Sequence, residues 1–114
     1  MTGTKRGEIW WVDLNPSRSH EQSGKRPGLV ISDDIFNAGP ADLVVVLSLT
    51  TRDKKIPLHE KIDPPEGGLT EVSYIKCEDI RSVSKQRLSI RIGKVQDRTL
   101  KAVQEKVKIL LTLS

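Results

Sequence analysis

The chain is punctuated so often that only short elements are expected before its C-terminal end. Short apolar runs alternate with Gly, Pro, Asn and Ser from Gly7 to Val95. Such residues end regular structure because of what they do to φ and to local hydrogen bonds. Gly7 to Leu14 reads as a strand rich in Ile, Trp and Val, and Gly28 to Ser32 as a second. Between them lies a polar loop, Asn15 to Pro27. Asp33 to Asp42 is a connection with one short helical turn. Leu43 to Leu49 is apolar on both faces, which predicts a central strand. Ile56 to Ile62 is a further strand, and Pro57 places it at an edge. Pro64-Pro65-Glu66-Gly67-Gly68 is a turn. Val72 to Cys77 and Ile80 to Val83 are short strands. In Leu88 to Val95, Leu88, Ile90 and Ile92 alternate with Ser89, Arg91 and Gly93, so a half-buried strand is expected.

Only the last segment changes period. Leu100, Val103, Val107, Leu110 and Leu111 recur at three- and four-residue steps and make one apolar helical face, with Asp97 placed to cap it. Many short strands followed by one helix predict a mainly β fold: a small, strongly bent barrel or two-layer sheet with the helix packed on it. One domain covering residues 1–114 is expected at this length. A single helix is a modest cover for such a sheet, so a second surface is expected to be buried by dimerisation.

Composition narrows the function classes. The net charge is +4 with 30% charged residues, which favours nucleic acid, anionic lipid or an acidic protein as partner. Ordinary solvated Lys and Arg account for the charge equally well. The longest apolar run, Leu43 to Leu47, is too short to span a bilayer, and the basic N-terminus lacks the apolar stretch of a signal peptide. The lone Cys77 has no internal disulfide partner, which fits a reducing cytoplasm. There is no Cys cluster, HExxH, GxxxxGK[ST], GxGxxG or GxSxG, so an enzyme of this sequence is expected to need neither metal nor cofactor.

One reaction suits so little equipment: RNA cleavage by the RNA's own 2′-hydroxyl, where the substrate brings the nucleophile. The protein must then move protons and neutralise a charged phosphorane, tasks for His, Glu, Arg and Thr. The stretch His20-Glu21-Gln22-Ser23-Gly24-Lys25-Arg26-Pro27 concentrates those types in a loop held by strands at both ends, and Thr50, Lys76 and Glu78 add to them. Each also has a plain structural reading. His20 is a solvent-facing loop residue, Glu21 pairs with Arg26, Thr50 and Thr51 cap a turn. Lys76 and Glu78, two apart on one strand, share a face as a surface pair of little energetic weight.

Taken together the segments resemble the MazF/PemK family of toxins from type II toxin–antitoxin systems. The matching pieces are Gly7-Glu8-Ile9-Trp10-Trp11-Val12-Asp13-Leu14-Asn15-Pro16, then Glu21 to Ser32, then Val44 to Thr51, then Cys77-Glu78-Asp79-Ile80-Arg81 and Lys85-Gln86-Arg87-Leu88, in the family's order. The resemblance implies an SH3-like barrel with a C-terminal helix (the MazF/PemK/CcdB-type toxin fold), a homodimer, and metal-independent cleavage of single-stranded RNA, chiefly mRNA, to 2′,3′-cyclic phosphate and 5′-hydroxyl ends, inhibiting translation and growth. It assigns Arg26 to phosphate charge and proton donation and Thr50 to the scissile phosphate, with His20 and Glu78 as further catalytic candidates. RNA binding falls to Glu21, Gln22, Ser23, Lys25, Thr51, Lys76 and Arg87. The family's usual Arg and Asp beside the Cys are here Lys76 and Glu78, and a Lys cannot fork onto a phosphate as Arg does. An acidic, MazE-like antitoxin with a flexible tail is the implied partner. The loops near Ser17 to Lys25, Arg52 to Lys55 and Pro64 to Glu71 are expected to set the recognised motif.

Trp10 and Trp11 point to opposite faces of the first strand, one to the core and the other to a dimer or antitoxin surface. Two other classes remain open: a non-catalytic toxin of the same fold that poisons DNA gyrase, and an inert nucleic-acid-binding barrel. The latter is weakened by an aromatic content of only 4%.

Overall fold

A computed structural model of the chain describes residues 3–14 and 24–114. Six strands form one antiparallel sheet: β1 (Glu8–Asp13), β2 (Lys25–Val30), β3 (Leu43–Thr50), β4 (His59–Ile62), β5 (Ser73–Ser84) and β6 (Leu88–Lys94). The spatial order is β4-β5-β3-β2-β1-β6. The one-turn helix α1 (Asp34–Asn37) precedes β3, and α2 (Asp97–Leu111) ends the fold. This is the mainly β, barrel-like architecture with a terminal helix that the punctuation predicts. β3 is central and β4 is an edge strand, as expected.

The sheet bends until both of its faces bury apolar side chains. Ile9, Leu29, Leu47, Leu49 and Ile75 form the first core with Val103 of α2. Val12, Val30, Val44, Val46 and Val83 form a second, closed over by Trp10, Leu14 and Leu88. Alternate residues of β3 therefore serve different cores, which is why its sequence is apolar throughout. The turn Glu66–Gly68 nearly closes the barrel by packing on β6. A Cβ on Gly93 would lie 2.4 Å from the Gly67 carbonyl oxygen, so only glycine admits this approach.

Four expectations are corrected. β2 starts at Lys25 rather than Gly28, so Arg26 and Pro27 belong to a strand and not to the loop. Residues expected to form two strands, Val72 to Cys77 and Ile80 to Val83, make the single strand β5. Its register with β3 jumps from Leu47↔Ile80 to Leu49↔Ile75, so Lys76, Cys77, Glu78 and Asp79 bulge opposite Ser48. In β6, Leu88 packs on the second core and Ile92 on the first, while Ile90 is 63% exposed. Register shifts against β1 on either side of Trp10 break the alternation there.

The last correction concerns α2. Its N-cap is Gln96, whose side chain makes no capping bond; Asp97 lies inside the first turn. A residue distant in sequence takes over the task. The Glu66 carboxylate accepts from Gln96 N–H at 2.9 Å and from the Thr99 hydroxyl at 2.5 Å. An anion at a helix N-terminus satisfies orphan donors and opposes the helix dipole. Of the expected apolar stripe, Val103 is buried and Leu100 and Val107 pack on the core, but Leu111 is half exposed.

Candidate active site

β1 pairs with β2 from Asp13↔Lys25 through Ile9↔Leu29. β3 joins β2 only from Gly28↔Ser48 onward. Pro27 has no N–H to offer a ladder. The first three residues of β2 thus pair with β1 and not with β3. A cleft of about 670 Å3 occupies the gap. It lies within the size range of about 300–1,000 Å3 usual for ligand sites. Its floor includes Leu49 and Leu69 of the first core, and its walls come from β1, β2, the Thr50–Lys54 segment, the segment after Gly67, and β5.

The cleft is basic. Among the described residues, Lys25, Arg26, Arg52, Lys54 and Lys76 line it against one carboxylate, Glu71. Such a concentration of cations within concave low-dielectric walls favours a polyanion. Arg26 and Thr50 both line it. Both lie two residues beyond Gly28↔Ser48, the last β2–β3 pair, where the strands have parted. The Thr50 hydroxyl oxygen accepts from Arg52 N–H at 3.2 Å. Turn capping and a role in the cleft are therefore compatible, since the hydroxyl keeps its own hydrogen to donate.

Lys76 reaches the cleft from the bulge of β5, where Asp79 steadies it. The Asp79 carboxylate accepts from the buried Ser48 hydroxyl, lies 3.2 Å from Arg81 Nε and 3.7 Å from Lys76 Nζ. Burial pushes this carboxyl up, but the Ser48 bond and the Arg81 and Lys76 charges outweigh it and hold it below the usual range. Glu78 is not among the lining residues. Its carboxylate meets His59 Nε2 at 2.8 Å, and the His59 side chain is 3% exposed with Nδ1 unpartnered among the described residues. Lys76 and Glu78 are thus not the paired surface charges their spacing suggests, because a bulge suspends the two-residue rule. Burial pushes the Cys77 thiol up to about 12, so it stays protonated and unreactive at neutral pH.

Of the remaining candidates, Lys25 and Thr51 line the cleft. Arg87 does not; its guanidinium donates to the Asp13 carbonyl at 3.2 Å. His20, Glu21, Gln22 and Ser23 lie outside the described residues. The loop regions expected to set specificity contribute Arg52, Lys54 and Gly68 to Glu71. Sequence reasoning missed Ser48, Asp79 and His59. A lone polar residue inside the apolar run of β3 was the available signal for Ser48; nothing local marks the other two. Among the described residues, no group of three or more His, Cys, Asp or Glu converges as a metal site. No helix among them is long and apolar enough to cross a membrane.

A bent antiparallel sheet with a terminal helix is the architecture of the small β-barrel toxins. The family of PemK-like, MazF-like toxins of type II toxin–antitoxin systems matches residues 5–111, and the chain belongs to it. It is 37% identical over 110 residues to endoribonuclease EndoA of Bacillus subtilis, covering 96% of this chain and 95% of that one. It is 34% identical over 114 residues to endoribonuclease MazF9 of Mycobacterium tuberculosis, covering 96% and 97%. The crystal structure of MazE–MazF from Deinococcus radiodurans superposes with a TM-score of 0.85 at 26% identity over the whole of both chains.

Proposed function

We propose that this chain is the toxin of a type II toxin–antitoxin pair and an endoribonuclease that cuts single-stranded RNA, chiefly mRNA, by attack of the RNA's own 2′-hydroxyl, without a metal. The observation that carries this reading is the convergence of Arg26 and Thr50 on one cleft lined by five cations. The names of its relatives point the same way.

In the proposed reaction a base takes the 2′-hydroxyl proton as the 2′-oxygen bonds to phosphorus. Arg26 neutralises the charge that grows on the equatorial oxygens, where a fork of N–H donors is worth most. The Thr50 hydroxyl donates to the same phosphate and fixes its orientation. The P–O5′ bond then breaks. The departing 5′-alkoxide is a stronger base than a neutral guanidine, so Arg26 can give it a proton and later regain one. The products are a 2′,3′-cyclic phosphate and a 5′-hydroxyl. His20 is the proposed base, since Glu78 is engaged by buried His59. Lys25, Thr51 and Lys76 are proposed to hold neighbouring phosphates and sugars. Glu21, Gln22 and Ser23 are proposed to meet the bases. The partners proposed are an acidic, MazE-like antitoxin and a second copy of this chain, and the site of action is the cytoplasm.

Incubating the protein with a long RNA in EDTA and mapping the new ends tests the reading. Discrete cuts bearing 5′-hydroxyls are expected. Intact RNA alongside blocked gyrase supercoiling would overturn it in favour of the gyrase-poisoning alternative.

A further inference from the structure

We propose that Trp11 is a stacking platform for an RNA base beside the cut phosphate. This rests on the reading of the cleft as an RNA site and assigns one of its walls a task of its own. On β1, Trp11 shares with Ile9 the face towards the first core. Ile9 is fully buried there, but Trp11 is 39% exposed and lines the cleft. A large apolar ring left open to water costs stability that a purely structural residue at this position would not.

The other aromatic side chains have different employment. Trp10 packs on the second core, and its indole N–H donates to Glu8 at 3.0 Å. Tyr74 and Phe36 lie outside the cleft lining. Trp11 is thus the cleft's one ring among the described residues, and its indole N–H has no partner among them. The backbone that carries it is fixed on both sides. Trp11 sits opposite Pro27 in β2, next to Val12↔Arg26, and its carbonyl accepts from the Ser89 hydroxyl at 3.4 Å. The ring and Arg26 belong to neighbouring cross-strand pairs, and both line the cleft.

The cations of the cleft suit phosphates first, whereas the broad apolar face of a base is best covered by an aromatic ring. A base freed from its neighbours presents a π-face to any ring of suitable position, whatever its identity. Pro27 and Ile92 flank Trp11 in the lining and keep that wall apolar. The division of labour is then phosphate on Arg26 and Thr50, base on Trp11.

The test uses a short single-stranded RNA made uncleavable by a 2′-deoxy sugar at the cut position. Its affinity is measured for wild type, W11L, W11F and W11Y, and again with each base in turn replaced by an abasic sugar. W11L is expected to weaken binding by about five-fold or more, the scale of one base–aromatic stack. W11F and W11Y restore most of that loss. The salt dependence of binding stays as in wild type because the phosphate contacts remain. At one abasic position the penalty of W11L disappears.

Wild-type affinity in W11L, a penalty that persists at every abasic position, or a loss explained by a changed oligomeric mass overturns the assignment; the last would make Trp11 part of an interface between copies. A wild type that binds the oligonucleotide and shows the W11L pattern, yet cuts no RNA, overturns the nuclease reading and leaves the stacking role standing. A wild type that neither binds nor cuts overturns both.

Discussion

Replacing Asp79 with Asn asks whether the β5 bulge is held by charge. The carboxylate is three-quarters buried and sits among three groups: the buried Ser48 hydroxyl, Arg81 and Lys76. Asn keeps the shape and one acceptor for Ser48, but loses the charge that strengthens that bond and pairs two cations. A hydrogen bond to a charged group contributes about 1.5–3 kcal/mol, and Arg81 is exposed enough to add little, so a loss of about 2 kcal/mol is expected. For a chain of this size that is a fall in Tm of roughly 8 °C. The pH dependence gives a second reading. The folded Asp79 pKa lies below its ordinary value of 3.8, so its contribution is complete above that value and is lost as pH falls through the lower folded value. Glu8 behaves alike: burial raises its pKa, but the Lys5 N–H, the Trp10 indole and Arg91 outweigh it. The informative quantity is therefore the difference between wild type and D79N in urea denaturation from pH 7 down to pH 3. That difference should be constant at neutral pH and shrink below about pH 4. Removing one negative charge beside a basic cleft should leave RNA affinity undiminished. Equal stability of D79N and wild type at pH 7, or a difference that ignores acid, would refute the charged anchor.

Three further outcomes are expected. Arg26→Ala should lower cleavage about 100-fold or more, as loss of an oxyanion donor does, and Arg26→Lys should restore only part. Arg26 is exposed at the open end of β2, so thermal melting of both variants should stay within a few degrees of wild type; equal cleavage by R26A removes Arg26 from the reaction. Glu66→Ala should destabilise α2 by about 1–2 kcal/mol, the scale of a lost cap, visible as a lower denaturation midpoint with an unchanged slope. Cys77 should resist a thiol reagent at pH 8 in the folded protein and react at once in urea, because burial holds its thiol near 12; rapid labelling of the native chain would contradict that.

The site was legible in the sequence to the extent that its residues follow one another or repeat a strand period. Lys25, Arg26, Thr50, Thr51 and Lys76 were selected by type and by a resemblance, and all line the cleft. Glu78 and Arg87 were selected the same way and lie elsewhere. The reason is local geometry. Four bulged residues of β5 face one residue of β3, and no alternation in Lys76-Cys77-Glu78-Asp79 announces it.

What the sequence determined by itself was the set of elements. The unbroken apolar run of β3, period three to four along α2, and glycines and prolines between the elements follow from backbone sterics and from which side chains leave water, and both are written in neighbouring residues. What only the tertiary structure decided was which distant groups meet. Glu66 caps a helix thirty positions away, Asp79 reaches Ser48 across the sheet, and β2 parts from β3 beside Pro27 so that a cleft opens between Arg26 and Thr50. Those encounters depend on sheet bending and register, which sum small contributions over the whole chain, and no stretch of residues carries them alone.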